Sequence, residues 1–166
     1  IYSGLWSFIF NIKFKEKNIA RELLNLIEAF ITPNRTLIFP AYSGEYFSKF
    51  KKFDIKKSLD RNGLLPKEAL KKNYYRTPQP LHSYLIWGKE VGKVKELQFL
   101  TSWGRTSIFE WLSKKNARIC TLGVPWNIAC SYFHRYEELY QVPWRYFKIF
   151  QGPLYKNNRR IGNCCE

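Results

Sequence analysis

The chain of 166 residues contains no methionine and only two histidines, His82 and His134. Imidazole chemistry near neutral pH therefore rests on two places. No Gly-x-Gly-x-x-Gly and no P-loop segment occurs, so a nucleotide site of either common kind is not indicated. No apolar run approaches the roughly 18–20 residues of a membrane span. The four cysteines, Cys120, Cys130, Cys164 and Cys165, form no Cys-x-x-Cys pair, and their spacing suits neither a zinc site nor a disulfide framework. No metal is expected; a reducing, cytoplasmic compartment is. Residues Ile1 to Phe8 lack a basic n-region and a small-residue cleavage site, and do not read as a signal peptide. They read as the middle of something, and we expect a fragment clipped at both ends, folded as one domain over residues 1–166.

Acids are scarce: 13 stand against 28 bases, for a net charge of +15. Lys49, Lys51, Lys52, Lys56 and Lys57 crowd one segment, with further pairs at Lys71-Lys72 and Arg159-Arg160. Such a field attracts phosphates, or it is simply a soluble lysine-rich surface. Aromatics at Tyr46, Phe47, Phe50 and Phe53 interleave with the lysines as in a base-stacking surface. No RNP, KH or helix-turn-helix pattern accompanies them, so nucleic acid is disfavoured as a partner. The chain is 45% hydrophobic, enough to build a core and to exclude disorder.

Strand and helix patterns alternate, which predicts an α/β sheet. Ile19, Leu23, Leu26, Ile27 and Phe30 recur at helical spacing within a helix over 16–31. Thr36 to Phe39 reads as a buried strand stopped by Pro40, followed by the polar turn Ala41-Tyr-Ser-Gly44 at the strand end where open sheets bind ligands. Residues 45–61 read as an irregular basic excursion, and 64–72 as a helix. Tyr84 to Trp87 reads as a strand. Ser107 and Glu110 have capping-box spacing for a helix to about Lys115. A strand is expected over 117–124, a helix over 129–140 and a half-exposed strand over 143–150.

The most informative stretch is Arg76-Thr-Pro-Gln-Pro-Leu-His-Ser83. Two prolines stiffen the approach to His82 and Ser83 at a strand entry. A lone histidine there serves either as a loop hydrogen-bonder or as a chemical group. His134 and Glu137 stand at i, i+3, so both project from one helix face, where a carboxylate can orient an imidazole; an ordinary surface pair has the same spacing.

Several segments in order resemble the aminoglycoside 3-N-acetyltransferase family. Tyr2-Ser-Gly-Leu-Trp-Ser7 is similar to its opening strand end, and Thr36-Leu-Ile-Phe-Pro-Ala-Tyr-Ser43 to its Thr-Leu-x-x-Pro-x-Ser strand. Phe53-Asp54 and Gly63-Leu-Leu65 resemble segments that follow. Arg76 to Ser83 resembles the signature Arg-Ser-x-His-Pro-x-His-Ser, with Gln79 in place of its first histidine. Trp103 to Phe109, Thr121 to Val124 and His134-Arg-Tyr-Glu137 resemble the remaining motifs.

The resemblance implies a mixed open sheet flanked by helices. It implies acetyl transfer from acetyl-CoA, as co-substrate, to a small-molecule amino sugar, and it allows a homodimer. An amine must lose its proton to attack a thioester, and a near-neutral imidazole suits that chemistry. The resemblance thus places catalysis on His82, with His134 and Glu137 completing the network, and places Ser3, Gly4, Arg76, Ser83 and Ser107 beside acetyl-CoA. A covalent route through Cys130 is the less favoured chemistry. A non-catalytic homologue is the competing reading, given Gln79. Net charge favours an amino sugar on a phosphate carrier over a polycationic aminoglycoside.

Overall fold

The computed structural model describes residues 1–5, 18–31, 34–59 and 63–166, apart from the side chains of Tyr46 and Ile128. Among the described residues eight strands run in chain order: β1 Tyr2–Ser3, β2 Thr36–Pro40, β3 Phe53–Asp54, β4 Tyr75–Arg76, β5 Tyr84–Gly88, β6 Thr121–Leu122, β7 Gln151–Lys156 and β8 Arg159–Cys165. They form three small sheets, with helices between them in sequence. β1 pairs parallel with β6; β5 lies antiparallel between β2 and β4; β7 joins β3 in parallel and β8 in antiparallel. The mixed α/β class follows the expectation, with its sheet divided into three.

The helix Ile19–Ile31 packs its Ala20 and Leu24 onto Leu37, Phe39, Leu65, Ala69 and Leu85. The face predicted inward is turned by about one position. Leu26 and Phe30 are 68% and 84% exposed, while Leu23, Ile27 and Ile31 join the core. Two overlapping apolar stripes share this helix, and periodicity alone does not choose between them. Its expected first residues, Glu16 and Lys17, lie outside the described residues.

Three further expectations are corrected. The described part of 45–61, up to residue 59, is not an irregular excursion: it contains most of the helix Gly44–Phe50 and all of β3, and Phe47 and Phe53 are buried. The strand over 117–124 shrinks to Thr121–Leu122. The helix over 129–140 divides into Trp126–Ala129 and Phe133–Leu139. At the break, the N–H groups of Phe133, His134 and Arg135 bond the carbonyls of Cys130, Ser131 and Tyr132, the tighter i to i+3 pattern.

The alternation over 143–150 makes no strand either. Trp144, Tyr146, Phe147 and Ile149 are all exposed, from both phases of the alternation. The real hairpin comes next, turning at Asn157 and Asn158, both left-handed at φ 51° and 66°. It returns the chain to Phe150, whose N–H and C=O pair with the C=O and N–H of Glu166 at 2.8 and 2.9 Å. No described helix is long and apolar enough to cross a membrane.

Candidate active site

His82 sits in a loop whose backbone is fixed from both sides. Beyond β2, the Ala41 and Ser43 N–H groups donate to the Ser83 and Leu81 carbonyls at 2.8 and 2.9 Å. Thr77 closes the loop, its N–H on Tyr84 O and its Oγ1 accepting from Tyr84 N, both at 3.0 Å. Ser43 Oγ donates to Pro80 O at 2.8 Å. Beneath, Arg76 is 4% exposed, stacks 4.8 Å over the Phe53 ring, and donates to Ala41 O at 2.7 Å and Ser83 Oγ at 3.0 Å. Ser83, fully buried, donates on to Ala41 O. Arg76 and Ser83 thus build the floor under the loop.

Glu166 supplies what the sequence reading lacked. Its side chain is almost fully buried, with one oxygen accepting from the Leu81 and His82 N–H groups at 2.7 and 3.0 Å. The other lies 2.8 Å from His82 Nδ1 and accepts from Ser102 Oγ at 2.6 Å. Burial pushes the Glu166 carboxyl up, but the bonds and charge of His82, with those of Ser102 and the backbone, outweigh it and hold it below its ordinary range. Ser102 spends its proton on Glu166, so the shorter contact assigns a proton to His82 Nδ1. Nε2 is then the lone-pair nitrogen of a ring that is about a quarter exposed.

Trp103 lies between the two histidines, its ring 4.6 Å from that of His82 and 4.9 Å from that of His134. The loop carrying it is held by Arg135, which donates to the carbonyls of Trp103 and Gly104, and by Ser107 Oγ on Gly104 O at 2.6 Å. Ser107 also caps its helix, accepting from Glu110 N. Glu110 closes the box one residue earlier than the pattern implies, on Thr106 N at 2.9 Å.

His134 and Glu137 do meet, at 2.7 Å, and Arg145 joins both. The hydrogen bond of His134 to Glu137, followed by that of Arg145, lowers the Glu137 carboxyl below its ordinary range. This cluster is half exposed and reaches His82 only across Trp103.

A cavity of about 810 Å³ opens here. Leu81, His82, residues 100–103, Glu137, Glu138, Gln141 and Glu166 line one part, and Val142 with residues 144–150 lines the rest. Of the residues expected to act, the structure brings His82 and Glu137 to this wall, with His134 behind Trp103. Ser3, Gly4, Arg76, Ser83 and Ser107 do not line it. Ser3 Oγ is buried beside Gly63, at the end of β1, with no hydrogen-bond partner among the described residues. Cys130 is absent from the lining too. Gln79 is buried and donates to Phe99 O at 2.8 Å, which makes it a brace for the neighbouring loop. Among the described residues, no group of three or more His, Cys, Asp or Glu is placed to hold a metal ion.

Comparison with known families places this geometry. The model of the aminoglycoside 3-N-acetyltransferases matches residues 12–163. The chain belongs to that family. A crystal structure of the aminoglycoside acetyltransferase AAC(3)-IIb is similar at TM-score 0.72 and 16% identity, over 99% of this chain and 66% of that one. Sisomicin-bound AAC-VIa gives 0.69 and 13%, over 90% and 64%. The YokD protein from Bacillus subtilis gives 0.67 and 18%, over 89% and 66%. At these identities the likeness is one of fold. The chain spans just under two thirds of the length of these proteins. No curated protein matches its sequence.

Glu166 and Ser102, which meet His82 in the structure, are the residues of this cluster that sequence reasoning missed. The Asn157-Asn158 pair is a turn signal from which the hairpin, though not the place where it docks, was legible.

Proposed function

We propose that this chain carries an acetyl-CoA-dependent N-acetyltransferase activity toward the amino group of a sugar. The acceptor is an aminoglycoside or an amino sugar of polysaccharide synthesis. The observation that carries the reading is His82 on the cavity wall with Nδ1 against the buried Glu166. The acceptor amine attacks the thioester carbonyl carbon, His82 Nε2 takes the amine proton, and the C–S bond breaks. The departing thiolate then recovers a proton from the imidazolium. Glu166 keeps Nδ1 protonated and stabilises the imidazolium while it exists. Trp103 and the loop bonds fix the ring, and holding amine and thioester together supplies much of the remaining acceleration.

Charge in the cavity supports an amine acceptor despite the net +15. Glu137, Glu138 and Glu166 all line it, against Arg145 and Lys148. Glu166 is taken by His82 and Glu137 by His134 and Arg145; Glu138, whose carboxyl is raised by burial against the pull of the Gly104 amide and of Arg135 and Arg145, is the cavity carboxylate left to meet an ammonium. Lys148 is the wall cation suited to phosphates of the donor, since Arg145 is paired with Glu137. The free cysteines suit a reducing, cytoplasmic setting.

The test is release of CoA thiol with kanamycin-type acceptors and, separately, with UDP- or dTDP-amino sugars. Acetylation of either class is expected. His82→Ala should lower turnover by about 10²- to 10⁴-fold while acetyl-CoA binding persists. Turnover intact in that variant refutes the assignment of the base, and no thiol release with either class overturns the reading.

A further inference from the structure

A second cleft, of about 410 Å³, shares no lining residue with the His82 cavity. Lys56, Lys95 and Lys156 stand around it, and Arg76 forms part of its inner wall. Among the described residues, no carboxylate lines it. Trp87, stacked on Tyr74 at 6.0 Å and 16°, and Tyr75 give it an aromatic side. The ammonium of Lys95 lies 5.6 Å over the Tyr75 ring.

The fold holds two of these cations together against their repulsion. Asp54, 4% exposed, is the clamp. Its Oδ1 accepts from Lys56 N at 2.9 Å and Asn157 N at 3.3 Å, and its Oδ2 from Asn158 N at 2.8 Å. The adjoining Ile55 N donates to Tyr155 O at 3.0 Å. The backbones bearing Lys56 and Lys156 are therefore tied to one buried carboxylate whose oxygens face amides. Lys56 donates its ammonium to Asn73 Oδ1, a neutral partner. Burial, followed by the charge of Lys156, lowers the Lys56 ammonium from its ordinary range. Like charges kept in register by a rigid turn, beside an aromatic wall, form a preorganised seat for an anion. The volume matches a small ligand, whereas nucleic acid requires an extended basic track.

We propose that the Lys56–Lys95–Lys156 cleft binds the phosphoryl group of a small molecule, at a site separate from the acetyl-transfer cavity. The phosphoryl group belongs either to a nucleotide, its ring against Trp87, or to a free polyphosphate. Calorimetric titration of the whole chain with ADP and with pyrophosphate, at low ionic strength, tests it. Saturable one-to-one binding of at least one probe is expected. It should weaken at least tenfold in Lys56→Gln/Lys156→Gln and stay unchanged when acetyl-CoA is saturating. ADP binding at least fivefold tighter than pyrophosphate identifies the nucleotide source, and equal affinity identifies polyphosphate. The double variant removes the repulsion, so it should melt no lower than the parent. Absence of binding, undiminished binding in the double variant, or displacement by acetyl-CoA overturns the proposal. The readout is binding alone, so it stands whether or not acetyl transfer is found.

Discussion

Glu166→Gln separates an orienting carboxylate from a merely structural one. The native carboxylate accepts from Leu81 N, His82 N, Ser102 Oγ and His82 Nδ1. A glutamine of nearly the same shape has one accepting oxygen and one donating NH2. The two backbone N–H groups cannot turn away, so the oxygen must face them. The NH2 then faces His82 Nδ1, which can only accept, and the ring is driven to the Nε2–H tautomer. Nε2 loses the lone pair that takes the amine proton. Loss of a positioned base costs about 10²- to 10⁴-fold in kcat, so kcat should fall within that range while acetyl-CoA affinity changes little. The loop keeps both backbone bonds, and loss of two charge-assisted bonds should cost about 1–3 kcal/mol of stability. The pH dependence has a definite sign. The Glu166 carboxyl lies below its ordinary value of 4.5, so its stabilising contribution is complete above that pH and fades as pH falls through the folded value. The melting-temperature gap between parent and variant should therefore narrow below pH 4.5. Steady-state thiol release and thermal melts measure both effects. A variant with kcat within threefold of the parent refutes the tautomer assignment and with it the role given to Glu166.

Two further outcomes follow from burial. Burial lifts the Cys164 thiol to about 11, and its Sγ lies against Gly152 O at 3.4 Å. At pH 8 its thiolate is scarce, on the order of one part in a thousand; iodoacetamide with mass spectrometry should therefore label the exposed Cys120 and Cys165 and spare Cys164 until the chain unfolds. Leu24→Ala should cost about 2–5 kcal/mol in urea unfolding, since Leu24 is fully buried against β2 and β5 residues, and a loss under about 1 kcal/mol would show that this helix face is not the packed one.

Patterns that depend on neighbours in sequence were legible, and patterns that depend on partners were less so. Thr36 to Phe39 and Tyr84 to Trp87 read as buried strands, and they pair as β2 and β5, with β5 at the centre of their sheet. The Ser107 cap could be read because a capping box is closed within four residues. The segment 143–150 failed for the complementary reason. Its alternation satisfied the strand period, but a strand needs a neighbour, and Phe150 alone finds one in Glu166. The helix Ile19–Ile31 was visible as a helix, whereas its inward face was decided by Leu37, Phe39 and Leu65, which lie far along the chain.

The same distinction governs the site. His134 and Glu137 are three residues apart, so their hydrogen bond was foreseeable, yet nearness in sequence says nothing of what the pair faces. The carboxylate that meets His82 stands 84 residues away, and no local spacing selects it. Arg76 and Ser83 share the signature with His82, and the resemblance implied a place beside the cofactor. Both are buried outside the lining of the His82 cavity, where Arg76 donates to Ala41 O and Ser83 Oγ and so holds the histidine loop on β2. Net charge is a similarly coarse guide. A total of +15 favoured an amino sugar on a phosphate carrier over a polycation, but recognition depends on the charges that line the cavity. There, three of the scarce acids gather, while Lys56, Lys95 and Lys156 border a different cleft. A buried carboxylate stands at each place: Glu166 beside His82 and Asp54 beside Lys56, so the charge that a ligand would meet is set locally and not by the total of the chain.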